Sequence, residues 1–232
     1  MVTLSDSTQS VHQSQSQQPP SSLLIRLIRS VISDVNSANT EGIAAELVSW
    51  IGSDREPDPS LLEFVADTVL EHVTERLGGR PSGLARLSCR LAVALPAYCG
   101  ILQTRLQSQF LESVQFLTNR RAAEQGSWSE LIALVGFAGE LCTVKVVSPA
   151  VLLDVYLHHL SKHSESSELE LEAVCALLKA AGSRLWNDPQ ASEVLAKEMQ
   201  ALQDVHDRGN VSPLLSKKLA VSNLEAAPSH KD

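Results

Sequence analysis

Four dipeptides, Asp58-Pro59, Ser148-Pro149, Asp188-Pro189 and Ser212-Pro213, each set a side chain able to cap a helix directly before a proline, and nothing constrains the chain more. Proline lacks a backbone N–H, a group that has no partner at the first helical position anyway, and its fixed φ suits that position. An Asp or Ser before it accepts a hydrogen bond from an amide the first turn leaves unpaired. The four pairs therefore read as helix starts. Ser127 with Glu130 and Ser167 with Glu170 have the spacing of capping boxes and mark two more.

Apolar residues recur at helical spacing between these marks. The first stretch carries Leu23, Leu24, Leu27, Ile28, Val31, Ile32 and Val35, a stripe that a strand would divide between its two faces. Thr40 to Ile51 repeats it with Ile43, Leu47 and Trp50 on one side, until the loop from Gly52 to Pro59 ends it. Further helices are predicted over 59–77, 82–95, 98–122, 128–145, 149–162, 168–185, 189–206 and 213–224, with connections of roughly two to nine residues. Only 4% of the residues are aromatic while Leu, Ala and Val abound, which suits helix-on-helix packing better than sheets. Short connections make neighbours antiparallel, and each hairpin exposes an apolar face that only the next can cover. The expected class is all-α, an α-solenoid of about five degenerate HEAT-like helical hairpins. It occupies residues 21–225, between a Gln/Ser-rich tail over 1–20 and a short tail over 226–232, both expected to be disordered because they have little to bury.

The net charge of -8 argues against nonspecific binding to nucleic acid or to an anionic membrane, since both need a cationic face. The four cysteines, Cys89, Cys99, Cys142 and Cys175, are far apart in apolar helical patterns and read as buried free thiols in a reducing compartment. No basic and then apolar leader opens the chain, and the longest apolar run, Leu91 to Leu102, is interrupted by Pro96. A soluble monomer in the cytoplasm is expected, with the nucleus left open.

No nucleophile with a base, no phosphate-cradling glycine loop and no carboxylate cluster stands in usable context, so an enzyme is not expected. His159 and His163 have the spacing of two zinc ligands beside His158, but no third ligand lies near, and a solvated helix end is the better reading. The run Glu165, Glu168, Glu170 and Glu172 suits a helix N-terminus. No metal or cofactor is expected. In Gly136 to Leu141, GFAGEL, the glycines are embedded in an apolar helix and are read as allowing close helix packing.

One charge feature is local. Between Glu75 and Glu112 there is no acidic residue, while Arg76, Arg80, Arg86, Arg90 and Arg105 all fall inside. Two readings stand: a cationic patch that meets an acidic protein surface or phosphates, or arginines each paired with a carboxylate of a neighbouring repeat. Trp50 beside the loop with Asp54, Arg55 and Glu56 is either an interface anchor or, by its spacing from Leu47 and Ile43, core.

The runs LQTRLQSQFLE (Leu102 to Glu112) and LVGFAGELCTVKVVSPAVLLDVYLHHL (Leu134 to Leu160) resemble the middle domain of translation initiation factor 4G. LELEAVCALLKAAGSRL (Leu169 to Leu185) is similar to that family's fourth helical pair, and RGNVSPLLSKKLAVSNL (Arg208 to Leu224) to its closing helix, so the resemblance covers residues 36–224. It implies a non-enzymatic adaptor in translation initiation or mRNA metabolism that binds a DEAD-box RNA helicase of the initiation factor 4A type, with RNA as a weaker partner. The other reading is a general solenoid scaffold unrelated to RNA. Joined to the charge map, the resemblance implies a docking edge made of Trp50, Asp54, Arg55, Glu56, Arg76, Arg80, Arg120 and Arg121.

Overall fold

A computed structural model describes residues 22–52, 57–75, 81–119, 125–162 and 168–207. Three of the proline-marked starts fall there, and each caps as its chemistry dictates. Asp58 Oδ1 accepts from the Ser60 amide at 2.9 Å, Ser148 Oγ from the Val151 amide at 3.2 Å, and Asp188 Oδ1 from the amides of Gln190 and Ala191 at 3.1 and 3.0 Å. Ser212-Pro213 and the last expected helix lie outside the described residues.

The helices are α1 (Ser22–Ser33), α2 (Thr40–Ile51), α3 (Pro59–Glu75), α4 (Ser82–Ala94), α5 (Pro96–Asn119), α6 (Gln125–Thr143), α7, α8 (Glu168–Trp186) and α9 (Pro189–Asp207). α7 has three parts, α-helical at Pro149–Val151 and His158–Lys162 and π-helical between, over Leu152–Leu157. No strand occurs among the described residues. Two starts differ from expectation. α6 begins two residues before Ser127, which therefore lies inside the helix, and α5 begins at Pro96, two residues before the expected start at 98, with Leu95 alone between α4 and α5. Ser167 lies outside the described residues, one position before α8.

The helices stack in two rows. α1, α3 and α5 touch in sequence in one row, α2, α4, α6 and α8 in the other, and α9 closes on α7 and α8. Between the rows lies a continuous apolar core running from Ile28 and Leu47 through Leu87, Leu102 and Phe137 to Leu177 and Leu195. The π-helical segment closes on it. His158 N–H donates to Leu153 O, five residues back, and the wider turn buries Leu152, Leu153, Tyr156 and Leu157 together. The Tyr156 ring sits 4.6 Å from that of Phe110 on α5, tilted by 48°.

Two ends of the stack follow from side-chain contacts. At the first, the turn after α1 meets the start of α4: a Cβ on Gly83 would lie 3.4 Å from the Asn36 backbone, and Arg29 near the end of α1 pairs with Glu71 near the end of α3 at 3.5 Å. At the second, α4, α5, α6 and α8 converge. There the thiol of Cys89 donates to Val144 O at 3.4 Å, that of Cys99 to Val146 O at 3.8 Å, and the Gln103 amide donates to Val146 O as well.

GFAGEL divides as its two glycines do. A Cβ on Gly139 would meet the Ala180 Cβ at 2.6 Å and Leu177 O at 3.2 Å, so the α6 and α8 backbones touch here as only glycine permits. Gly136, one turn earlier, has nothing within 4 Å of its Cβ position. Thr143, one turn further on, seals the crossing by donating its hydroxyl to Ala180 O at 2.9 Å.

Candidate functional site

Of the docking residues read from the sequence, Trp50 alone lies within the described residues; it is partly buried and packs against the core from α2. Asp54, Arg55, Glu56, Arg76, Arg80, Arg120 and Arg121 lie outside them. The helices that carry those segments are described. α3 ends and α4 begins at the first end of the stack, and α5, which starts at the second end, runs towards the first. α2 begins at the first end and therefore points its C-terminus towards the second.

The arginine-rich window resolves residue by residue. Arg90 pairs with Glu41 on α2, and Arg105 on α5 pairs with Glu63 at 2.7 Å and Asp67 at 3.6 Å, both on α3. For these two, pairing across neighbouring repeats is the outcome. Arg86 is exposed and makes no ion pair among the described residues. Desolvation raises the Asp67 carboxyl above its ordinary value despite the Arg105 guanidinium, which pulls it down, and Glu63 adds to the rise.

The two neighbouring histidines described on α7 diverge. His159 turns inward, its ring edge-on to Phe110 at 6.3 Å, with a buried Nδ1 that has no hydrogen-bond partner, while His158 faces Glu198 at 4.0 Å. His163 lies outside the described residues. Among the described residues no group of three or more His, Cys, Asp or Glu side chains is arranged to hold a metal. None of their helices is long and apolar enough to cross a membrane.

A cleft of about 330 Å³ opens at the second end, walled by Gln103 of α5, Cys142 of α6, the linker Lys145 to Ser148, the start of α7 and Arg184 of α8. The linker enters it through a tight helix end. Lys145 N–H donates to Cys142 O at 3.0 Å and Val146 N–H to Leu141 O at 2.9 Å, the paired bonds of a Schellman termination, and Lys145 takes the left-handed position with φ 66°. Glycine adopts that position freely; a lysine there is strained by about 1–2 kcal/mol. The side chain it holds out is exposed and makes no ion pair among the described residues. Arg184 likewise makes none, and its Nε is buried without an acceptor. Burial pushes the Cys142 thiol up to about 11, with Arg184 pulling down and Asp188 pushing further up, so it stands as a neutral wall. Sequence reasoning missed this cleft. Lysine carries no turn signal, and a basic residue near a helix C-terminus reads as ordinary dipole complement.

Two rows of antiparallel helices around one long core make this an α-solenoid. Compared with known families, residues 25–222 match the MIF4G domain, the middle domain of eIF4G-like proteins, and the chain belongs to that family. Domains of this kind are protein- and RNA-interacting adaptors, and membership supports a role in translation or mRNA metabolism. None of the curated proteins compared with the chain matches it.

Proposed function

We propose that this chain is a non-enzymatic adaptor in translation initiation or mRNA metabolism that binds a DEAD-box RNA helicase of the initiation factor 4A type, with RNA as the weaker partner. The match to the MIF4G domain over residues 25–222, which spans all but the first turn of the described stack, carries the reading. A rigid stack touching both lobes of a two-lobed helicase favours one relative orientation of the lobes, a population shift that needs no chemistry from the adaptor. Action in a reducing compartment, the cytoplasm or the nucleus, accords with four free thiols.

We assign the helicase contact to Arg76, Arg80, Arg120 and Arg121, with Asp54, Arg55 and Glu56 beside Trp50 as a further contact. Complementary polar contacts of this sort set orientation and association rate more than affinity. Affinity capture of the tagged full chain, with and without nuclease, tests the function. A helicase recovered in both arms supports it, and a partner set free of RNA factors removes it. With the helicase in hand, reversing Arg76 and Arg80 to glutamate is expected to slow association and reduce its salt dependence at nearly unchanged Tm. Binding at the wild-type rate would move the contact to the helical faces.

A further inference from the structure

We propose that the cleft at the second end of the stack receives a carboxylate-bearing segment of a protein partner, anchored by Lys145 and Arg184. Both cations reach one cleft of about 330 Å³, from the α6–α7 linker and from α8, and neither has an ion-pair partner among the described residues. Asp188, a carboxylate whose charge is felt at Cys142 in the wall, has its Oδ1 committed to the amides of Gln190 and Ala191 at the start of α9. Arg184 lines the cleft from α8 with its Nε buried in the wall and without a partner, and its guanidinium makes no ion pair among the described residues, so the charge is left for a carboxylate to meet.

The site is preorganised. Cys89, Cys99 and Gln103 hold the carbonyls on either side of Lys145, and the Schellman bonds fix its left-handed backbone, so little freedom is lost when it meets an anion. A strained residue held this firmly, with its charge turned outward, is a feature of binding sites. The remaining wall favours protein over nucleic acid. Val147, Pro149 and Val151 offer apolar surface beside the cations, and Ser148 a hydroxyl, which suits a carboxylate next to an aliphatic side chain. An RNA strand needs a track of cations, which a wall with two cations on a chain of net charge -8 does not provide. This goes beyond the helicase docking assigned above, uses none of its residues, and stands whatever that partner is.

The test is a nuclear magnetic resonance titration of the full chain with a capped leucine–glutamate–aspartate–leucine peptide, its glutamine–asparagine counterpart, and oligouridylate. The Arg184 Nε–H and the amides of Lys145 and Val147 are expected to shift saturably with the acidic peptide and hardly with the neutral one. Lys145→Gly, which suits the left-handed position, and Lys145→Gln, which keeps most of the side chain, are each expected to weaken peptide binding about fivefold with the fold intact. Three results would overturn the proposal: resonances unmoved by the acidic peptide, both variants binding as tightly as wild type, or shifts with oligouridylate alone, which would give the cleft to a phosphate.

Discussion

Between α1 and α3, α2 and α4, and α3 and α5, same-row neighbours are bridged on their outer surface by arginine–carboxylate pairs, whereas between α6 and α8 two backbones meet at Gly139. Arg29 with Glu71, Arg90 with Glu41, and Arg105 with Glu63 and Asp67 are all roughly half-exposed, and Arg29 also lies over the Phe64 ring at 5.5 Å. Exposed pairs contribute little and tolerate adjustment, because solvent screens them and the long side chains can re-aim. Where Gly139 presents only hydrogen to Ala180 and the Leu177 carbonyl the contact cannot adjust, since anything larger must displace a helix. The geometry of the stack is thus fixed closely at the α6–α8 crossing, whereas the charged pairs of the first half can re-aim.

The sharpest way to break that comparison is Gly139→Leu. It is expected to destabilise by about 1–3 kcal/mol through overpacking against Ala180 and the Leu177 carbonyl, visible as a lowered Tm in thermal denaturation. Gly139→Ala separates sterics from helix propensity. Propensity alone would gain about 1 kcal/mol, so a net loss isolates the clash. Gly136→Ala in the same helix meets nothing within 4 Å and is expected to gain up to about 1 kcal/mol. If both alanines raise Tm, α6 and α8 are not in fixed contact.

What the sequence made legible follows from how far each signal reaches. The caps at Asp58, Ser148 and Asp188 are local chemistry between a side chain and the next turn, so they were readable and correct. Ser127 with Glu130 misled because the same spacing occurs inside helices. The α1 stripe was right in kind, yet it buries Ile28, Ile32 and Val35 and leaves Leu23 and Leu27 exposed, 66% and 43%, because burial needs a neighbour and α1 is the end of the described stack. The π-helical turn over Leu152–Leu157 has no period of its own in an apolar run. Pairing with a neighbouring repeat's carboxylate was one of the two readings for Arg105 and is the outcome, but which acids pair with it was not legible, because they sit two helices earlier on α3. The docking residues Asp54, Arg55, Glu56, Arg76, Arg80, Arg120 and Arg121 lie outside the described residues.

A smaller effect sharpens the first-half side of the comparison. Asp67 has a folded-state pKa above the ordinary value of 3.8, desolvation outweighing Arg105. The native state therefore holds this proton more tightly than the unfolded chain, and the contribution of Asp67 to stability falls as pH rises from the ordinary value through the raised one. Asp67→Asn removes that dependence, so its Tm is expected to gain on wild type as pH rises past the ordinary value of 3.8 and to track it at lower pH. Arg105→Gln takes away the one group lowering the pKa and is expected to widen the interval. A Tm difference between Asp67→Asn and wild type that is flat across this range would mean the carboxylate is not desolvated.

The smallest effect concerns Arg90 and Glu41, whose side chains are 56% and 69% exposed. Their pairing is expected to contribute less than about 0.5 kcal/mol, and less again in high salt. The two residues are not equivalent, because Glu41 also lies in the first turn of α2, where the helix dipole favours a negative charge by about 0.3–1 kcal/mol. Glu41→Gln is therefore expected to lower stability more than Arg90→Gln, and the double variant to match Glu41→Gln closely. Denaturant unfolding of the two single variants and the double, at low and high salt, gives the coupling directly. A coupling above about 2 kcal/mol that survives high salt would show the first half to be held by its charges. The contrast with the Gly139 crossing would then fail, because Arg90 could not be released to a partner without loosening α4 from α2.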